Sequence, residues 1–195
     1  MPYPAGHRAA TREKIVDSAR RLFNRHGFEN VTVKQIMAGA GFTHGAFYEY
    51  FKGKSSLYTE VLGCFFTDPN WKHRWNGVHV DLQAGNLGKQ IIRAYLSRAH
   101  FKDVENSCPM VALPTDVQRN GKAVKAAFES VFRAMVGALE QSARGGRRGR
   151  RERAQATAAL CVGGLIVART VCDEKIADEL REACMSVALQ ILDAG

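Results

Sequence analysis

Proline is missing from two long stretches of this 195-residue chain, Ala5 to Asp68 and everything after Thr115. Within them apolar residues recur every three or four positions, and the two-residue alternation of a half-buried strand is hard to find. Proline lacks the backbone N–H and clashes with the preceding turn, so its exclusion from runs of helical period points to helices. The chain reads as all-α, with about nine helices.

The first helix is expected from Arg12 to His26, capped by Thr11, with Ile15, Val16, Ala19, Leu22 and Phe23 on one apolar stripe and Gly27 ending it. Thr32 opens a second helix, with Gln35 three residues on completing a capping box. Ile36, Met37 and Ala40 face inward there, and Gly41 suits a left-handed C-terminal turn. Thr43 is expected to cap a short third helix, His44 to Tyr50, anchored by Phe47 and Phe51. A fourth helix, carrying Leu57, Val61, Leu62 and Phe65, ends at Asp68-Pro69. Beyond it, Trp71 to Gly88 reads as irregular. Helices follow over Leu87–His100, Pro109–Arg119 (which must accommodate Pro114), Gly121–Ala143, Glu152–Cys172 and Asp173–Asp193. Lys102–Ser107 and the glycine-rich, charged Arg144–Arg151 read as loops.

Composition excludes several classes. With 46% apolar and 24% charged residues the chain is globular rather than disordered. The longest apolar run, Ala156 to Ala168, falls short of the roughly 18–20 residues of a membrane span. The N-terminus has no apolar signal segment. Five cysteines without a C-x-x-C pair argue against a disulfide scaffold or zinc ribbon and for a reducing cytoplasm. No histidine, cysteine or carboxylate cluster has metal-ligand spacing, so neither metal nor cofactor is expected.

The net charge of +9 is unevenly placed. Residues 1–60 carry nine Lys/Arg against five Asp/Glu, while six of the nineteen later basic residues fall within Arg144–Arg153. The N-terminal part is thus a basic module suited to a polyanion. Its second and third helices, joined by a tight turn at Gly41, make a helix-turn-helix over about 31–50, a pair that places one helix in the DNA major groove. His44, Gly45, Ala46, Tyr48 and Tyr50 lie on the outer face of the short third helix. Gly45 and Ala46 are small enough for close approach, and Ala46 suits a thymine methyl. Thr32, Thr43, Tyr48 and Lys54 are placed for phosphates. The basic run Arg144–Arg153 is expected to be solvated surface.

Thr11 to Leu57 contains Ala19-x-x-Leu22-Phe23, Gly27-Phe28, Val31-Thr32-Val33, Ile36, Ala40-Gly41 and Phe47-Tyr48-x-Tyr50-Phe51-x-x-Lys54-x-x-Leu57. This pattern resembles the DNA-binding domain of the TetR family of bacterial transcriptional regulators. The resemblance implies a helix-turn-helix domain over residues 8–68 and a helical ligand-binding and dimerisation domain over 69–195. It implies a homodimer on near-palindromic operator DNA, most often a repressor released by a small molecule. Lys34, Thr43, His44, Gly45, Ala46, Tyr48, Tyr50 and Lys54 match its DNA-contacting positions, Lys54 as a phosphate-binding lysine. Tyr95-Leu96-Ser97, His100, Cys108-Pro109, Ala112-Leu113, Asp116 and Arg119 are similar to a branch with a Gly-Cys-Pro loop, in which Ser107 replaces the glycine.

Three further sites are read from the second half. Phe66, Trp71, Trp75, Met110, Phe128 and Phe132 supply walls for an apolar or aromatic ligand. Small residues at Ala154, Ala158, Cys161, Gly164 and Ala168 share one helix face, and the last helix repeats Leu180, Val187 and Ile191. Together they suit a four-helix dimer interface. Cys108, near His100 and Lys102, is open to two readings besides a structural thiol: a sensor of electrophiles, or the nucleophile of a helical enzyme with His100 and Asp103.

Overall fold

A computed structural model describes residues 5–65 and 77–194. Among them are ten α-helices, one 3₁₀ helix and no strand. α1 (Ala5–His26) begins seven residues before the expected start, so Thr11 is a buried residue inside the helix and not its cap. Ile15, Ala19 and Phe23 form its buried stripe. The helix stops at Gly27, whose φ of 78° is a left-handed conformation that costs glycine little. α2 (Val33–Ala40) has the expected capping box: Thr32 Oγ1 accepts from Gln35 N at 3.2 Å and Gln35 Oε1 accepts from Thr32 N at 2.8 Å. It ends at Gly41, φ 82°.

The third element, His44–Glu49, is a 3₁₀ helix rather than an α-helix, and Thr43 makes no side-chain capping bond to it. Six residues is long for a 3₁₀ helix, and buried Phe47 holds it down. α3 (Lys54–Gly63) closes this first core. Phe23, Phe28 and Tyr58 meet at its centre with ring separations of 4.4–5.6 Å.

The remaining helices are α4 (Leu87–Tyr95), α5 (Arg98–Lys102), α6 (Pro109–Ala112), α7 (Pro114–Arg119), α8 (Lys122–Ser142), α9 (Arg147–Thr170) and α10 (Glu174–Asp193). The helix expected over Leu87–His100 breaks because Ser97 caps a new one, its Oγ accepting from His100 N at 3.1 Å. Pro114 divides Pro109–Arg119 by taking the first position of α7, where a missing N–H is not needed. The arginine-rich segment is a loop only up to Gly146. From Arg147 it is helical, since arginine is a good helix former and Arg148 pairs with Glu152 one turn on.

Two apolar cores result. One lies within α1 to α3 and takes in Leu113, Val117 and Val124 from α6 to α8. The other lies among α4, α6, α8, α9 and α10. The expected boundary between residues 68 and 69 falls outside the described residues. Polar bonds reinforce the junction. Asn24 Nδ2 donates to Glu105 O and Ser107 O (3.0 and 2.9 Å), Arg20 donates to Glu105 O and Asn106 Oδ1 (both 2.9 Å), and Phe28 N donates to Asp116 Oδ2 (2.8 Å).

Candidate nucleic-acid interface

α1 and α2 pack closely enough for Ser18 Oγ to donate to Ile36 O at 2.8 Å, and a Cβ on Gly39 would lie 2.6 Å from that hydroxyl. This fixes α2 and, through the Gly41 turn, the 3₁₀ helix. Of the residues expected to meet DNA, Thr32, Lys34, Thr43, His44, Gly45 and Tyr48 are exposed, and Ala46, Tyr50 and Lys54 are half-buried. Tyr48 is 63% exposed although Phe47 beside it is fully enclosed, so the element is anchored by one ring and presents the next. The His44 and Tyr48 rings meet edge to face at 6.0 Å. A side chain at Gly45 would enter open space, so glycine leaves the backbone itself accessible. The arrangement offers exposed polar tips, small residues and a backbone edge, the groups that major-groove reading uses.

Lys54 is placed differently from expectation. Its Nζ donates to Phe28 O and Val31 O (2.8 and 3.0 Å) and sits 4.2 Å from the centre of the Phe28 ring. Two of its three donors are therefore spent inside the chain, tying α3 to the turn before α2. Arg8 and Arg12 are residues that sequence reading missed. Arg8 donates to Glu49 O at 2.9 Å and faces the Tyr50 ring. Arg12 donates to Tyr50 O at 2.7 Å, pairs with Glu60 and lies over Phe51 at 4.3 Å. Both hold the end of the 3₁₀ helix from α1. Their four-residue spacing is the only local signal, and it does not reveal partners some forty residues away.

Residues 15–61 match the family model for bacterial regulatory proteins of the tetR family. Over this segment the chain is similar to the TetR family. Over 51 residues, 26% of this chain and 24% of the relative, it is 43% identical to the transcriptional regulator AcrR of Shigella flexneri. Alignments with the first curated relatives cover only 24–34% of their lengths. Among solved structures, the reduced form of E. coli NemR is similar, with a TM-score of 0.74 and 20% identity over 95% of this chain and 98% of that one. The complex of SmeT with triclosan is similar at a TM-score of 0.61 and 21% identity, over 93% and 90%. These likenesses extend the TetR fold to nearly the whole chain. No helix among the described residues is long and apolar enough to cross a membrane.

The other expected sites fare unevenly. Phe66, Trp71 and Trp75 lie outside the described residues. Met110 is enclosed in the second core, Phe128 packs against both cores, and Phe132 borders a surface furrow between α8 and α9. Ala158, Cys161 and Gly164 are buried against their own chain and unavailable to a partner. A Cβ on Gly164 would lie 2.7 Å from Cys184 Sγ, so the small face admits α10 and not a second molecule. Leu180 and Ile191 are half-buried, whereas Val187, Val167 and Ile176 are exposed, leaving an apolar stripe on the outer side of α9 and α10.

Cys108 is fully buried. Its N–H donates to His100 Nε2 at 3.3 Å, Ser107 Oγ lies 3.0 Å from the same nitrogen, and His100 Nδ1 lies 2.7 Å from Tyr95 O. Because a carbonyl only accepts, Nδ1 carries the proton and Nε2 is the acceptor. Arg169 donates to Ser107 Oγ at 2.9 Å and to Phe101 O at 3.1 Å. Burial, reinforced by the neighbouring Cys108, holds the Tyr95 hydroxyl well above its usual range. Burial also lowers the Arg169 pKa, against the opposing effect of Tyr95, Asp103 and Cys108. Asp103 accepts from Asn106 at 2.9–3.0 Å and does not orient His100. The cysteine–histidine–aspartate array of the enzyme reading is therefore not assembled.

Proposed function

We propose that the protein is a dimeric, sequence-specific DNA-binding repressor that leaves its operator when a small molecule binds the C-terminal helices. The observation that carries this reading is the 3₁₀ helix, seated on buried Phe47 with His44, Gly45 and Tyr48 turned outward. Two such surfaces, related by the two-fold axis of a dimer, would meet near-palindromic half-sites about one helical turn apart. The exposed stripe of Val167, Ile176 and Val187, with Leu180 and Ile191, is the face that a second copy would cover. The triclosan-bound SmeT structure supports a small-molecule effector, and the regulator names of the matched relatives support a role other than enzymatic catalysis. Cytoplasmic residence accords with DNA as the partner.

The deciding experiment recovers genomic fragments bound by the purified protein and measures affinity across salt concentrations. His44→Ala should change sequence preference, by about 1–3 kcal/mol at the contacted base pair. Tyr48→Phe should weaken all sites alike. Failure to enrich any sequence would defeat the proposal.

A second reading makes Cys108 a thiol sensor. It is favoured by one observation: Ser107, beside the thiol and bound to His100, also holds Asn24 of α1 through its carbonyl. The likeness to NemR, solved in a reduced form, is in keeping with it. Cys108→Ser should keep operator affinity and lose release by N-ethylmaleimide. Unchanged release in that variant would leave the thiol purely structural.

A further inference from the structure

α8 and α9 leave a furrow between them, remote from the DNA-facing helix. Val124 of α8 is buried in the first core, and Gly137 lies thirteen residues further along the same helix, about 20 Å. One reach of the furrow, about 300 Å³, has Phe132 and Val136 on its α8 side and Arg151 on its α9 side. The second, about 450 Å³, runs past Arg150 and Glu140. Both border Gly137, where an added Cβ would meet nothing within 4 Å. The combined space suits a small organic molecule.

The charges around it are not balanced. Between Glu129 and Gln155 there are seven arginines and three glutamates. Arg133 is satisfied by Glu129 at 2.5 Å. Arg151 reaches its nearest carboxylate, Glu140, only at 3.8 Å. Among the described residues Arg150 has no ion pair, and its enclosed Nε has no hydrogen-bond partner. An Nε–H shielded from water without an acceptor is unfavourable, and a planar carboxylate is the group that best matches a guanidinium fork. Phe132 and Val136 alongside offer nothing to an inorganic anion but complement an apolar body.

We infer that this furrow binds an organic carboxylate, its apolar part against Phe132 and Val136 and its carboxylate on Arg150 and Arg151. As an effector site it rests on the repressor reading above; as a binding site it does not. The test is calorimetric titration with 4-phenylbutyrate, and with its uncharged amide, in parallel with DNA selection on the same preparation. The carboxylate should bind saturably, and the amide about tenfold more weakly. Arg150→Gln/Arg151→Gln should cost the carboxylate about tenfold or more and leave the amide unchanged. Gly137→Phe, which fills the furrow, should abolish binding of both while thermal melting shows a folded protein. Arg144→Gln/Arg147→Gln removes the same charge nearby and should leave binding intact. Absence of saturable binding, or an equal loss in the two double variants, overturns the inference. Carboxylate binding that depends on Arg150 and Arg151, in a protein that enriches no DNA, upholds the furrow and overturns the repressor reading.

Discussion

Lys54 acts on stability as well as on any contact with DNA. Its ammonium joins two backbone carbonyls and an aromatic face, so Lys54→Met would leave Phe28 O and Val31 O without that partner. The variant should lose about 1–2 kcal/mol of stability in denaturant unfolding, before any DNA is added. A lysine used only for phosphates would show no such loss. Asp17 makes a pH-dependent contribution. Burial pushes its pKa up, but hydrogen bonds and charge from Arg20 and Arg21 outweigh this and leave it below the ordinary value. A depressed folded-state pKa means stabilisation that is complete above about pH 4 and is lost as pH falls through the folded value. With the carboxylate 42% exposed, solvent screening keeps the effect small. Asp17→Asn should flatten the acid limb of a plot of melting temperature against pH, and an unaltered limb would mean that the two arginines do not act through this carboxylate. What could be read in advance at this scale was local. The Thr32–Gln35 box and the left-handed Gly41 are each encoded within a few residues. The partners of Lys54, Arg8 and Arg12 depend on how α1 to α3 pack, which no nearby residue records.

At the scale of elements, helix type and order follow from periodicity and proline placement, whereas element ends follow from side chains with tertiary partners. Ser97 could cap a helix or sit inside one. Its bond to His100 N decides, and that residue is held by the buried Ser107 and Tyr95. The small residues of α9 were ambiguous for a deeper reason: close approach of a helix from the same chain and from a partner demands the same side chains. The structure assigns Ala158, Cys161 and Gly164 to the former. Gly164→Leu should therefore overpack the contact with Cys184 and cost about 1–3 kcal/mol in unfolding at any protein concentration. Val187→Glu, on the exposed face, should instead dissociate a dimer in sedimentation while leaving the unfolding of the single chain nearly unchanged. If Val187→Glu sediments like the wild type, that face does not carry the assembly.

For the whole molecule, the N-terminal helices α1 to α3 and the C-terminal helices are joined in two ways. Leu113, Val117 and Val124 complete the first core from outside it, and Asn24, Arg20 and Arg25 of α1 hold the 105–107 turn. That turn also contains Ser107, whose hydroxyl is bonded to Arg169 and His100. A displacement of α9 therefore has a short route of discrete hydrogen bonds to α1, and α1 in turn holds α2 and the 3₁₀ helix through Ser18, Arg8 and Arg12. Asn24 is the link that can be cut most cleanly, because its side chain is buried and spans Glu105 O and Ser107 O. Asn24→Ala should raise amide hydrogen exchange in α1 and also in the 103–108 segment, and should lower stability by about 1–2 kcal/mol, since Ser107 O loses its donor while Glu105 O keeps Arg20. It should leave exchange in α10, which has no bond to this turn, unaltered. Exchange that rises in α1 alone would show that the turn is held by its own bonds to His100 and Arg169, and that the two halves communicate only through the shared core.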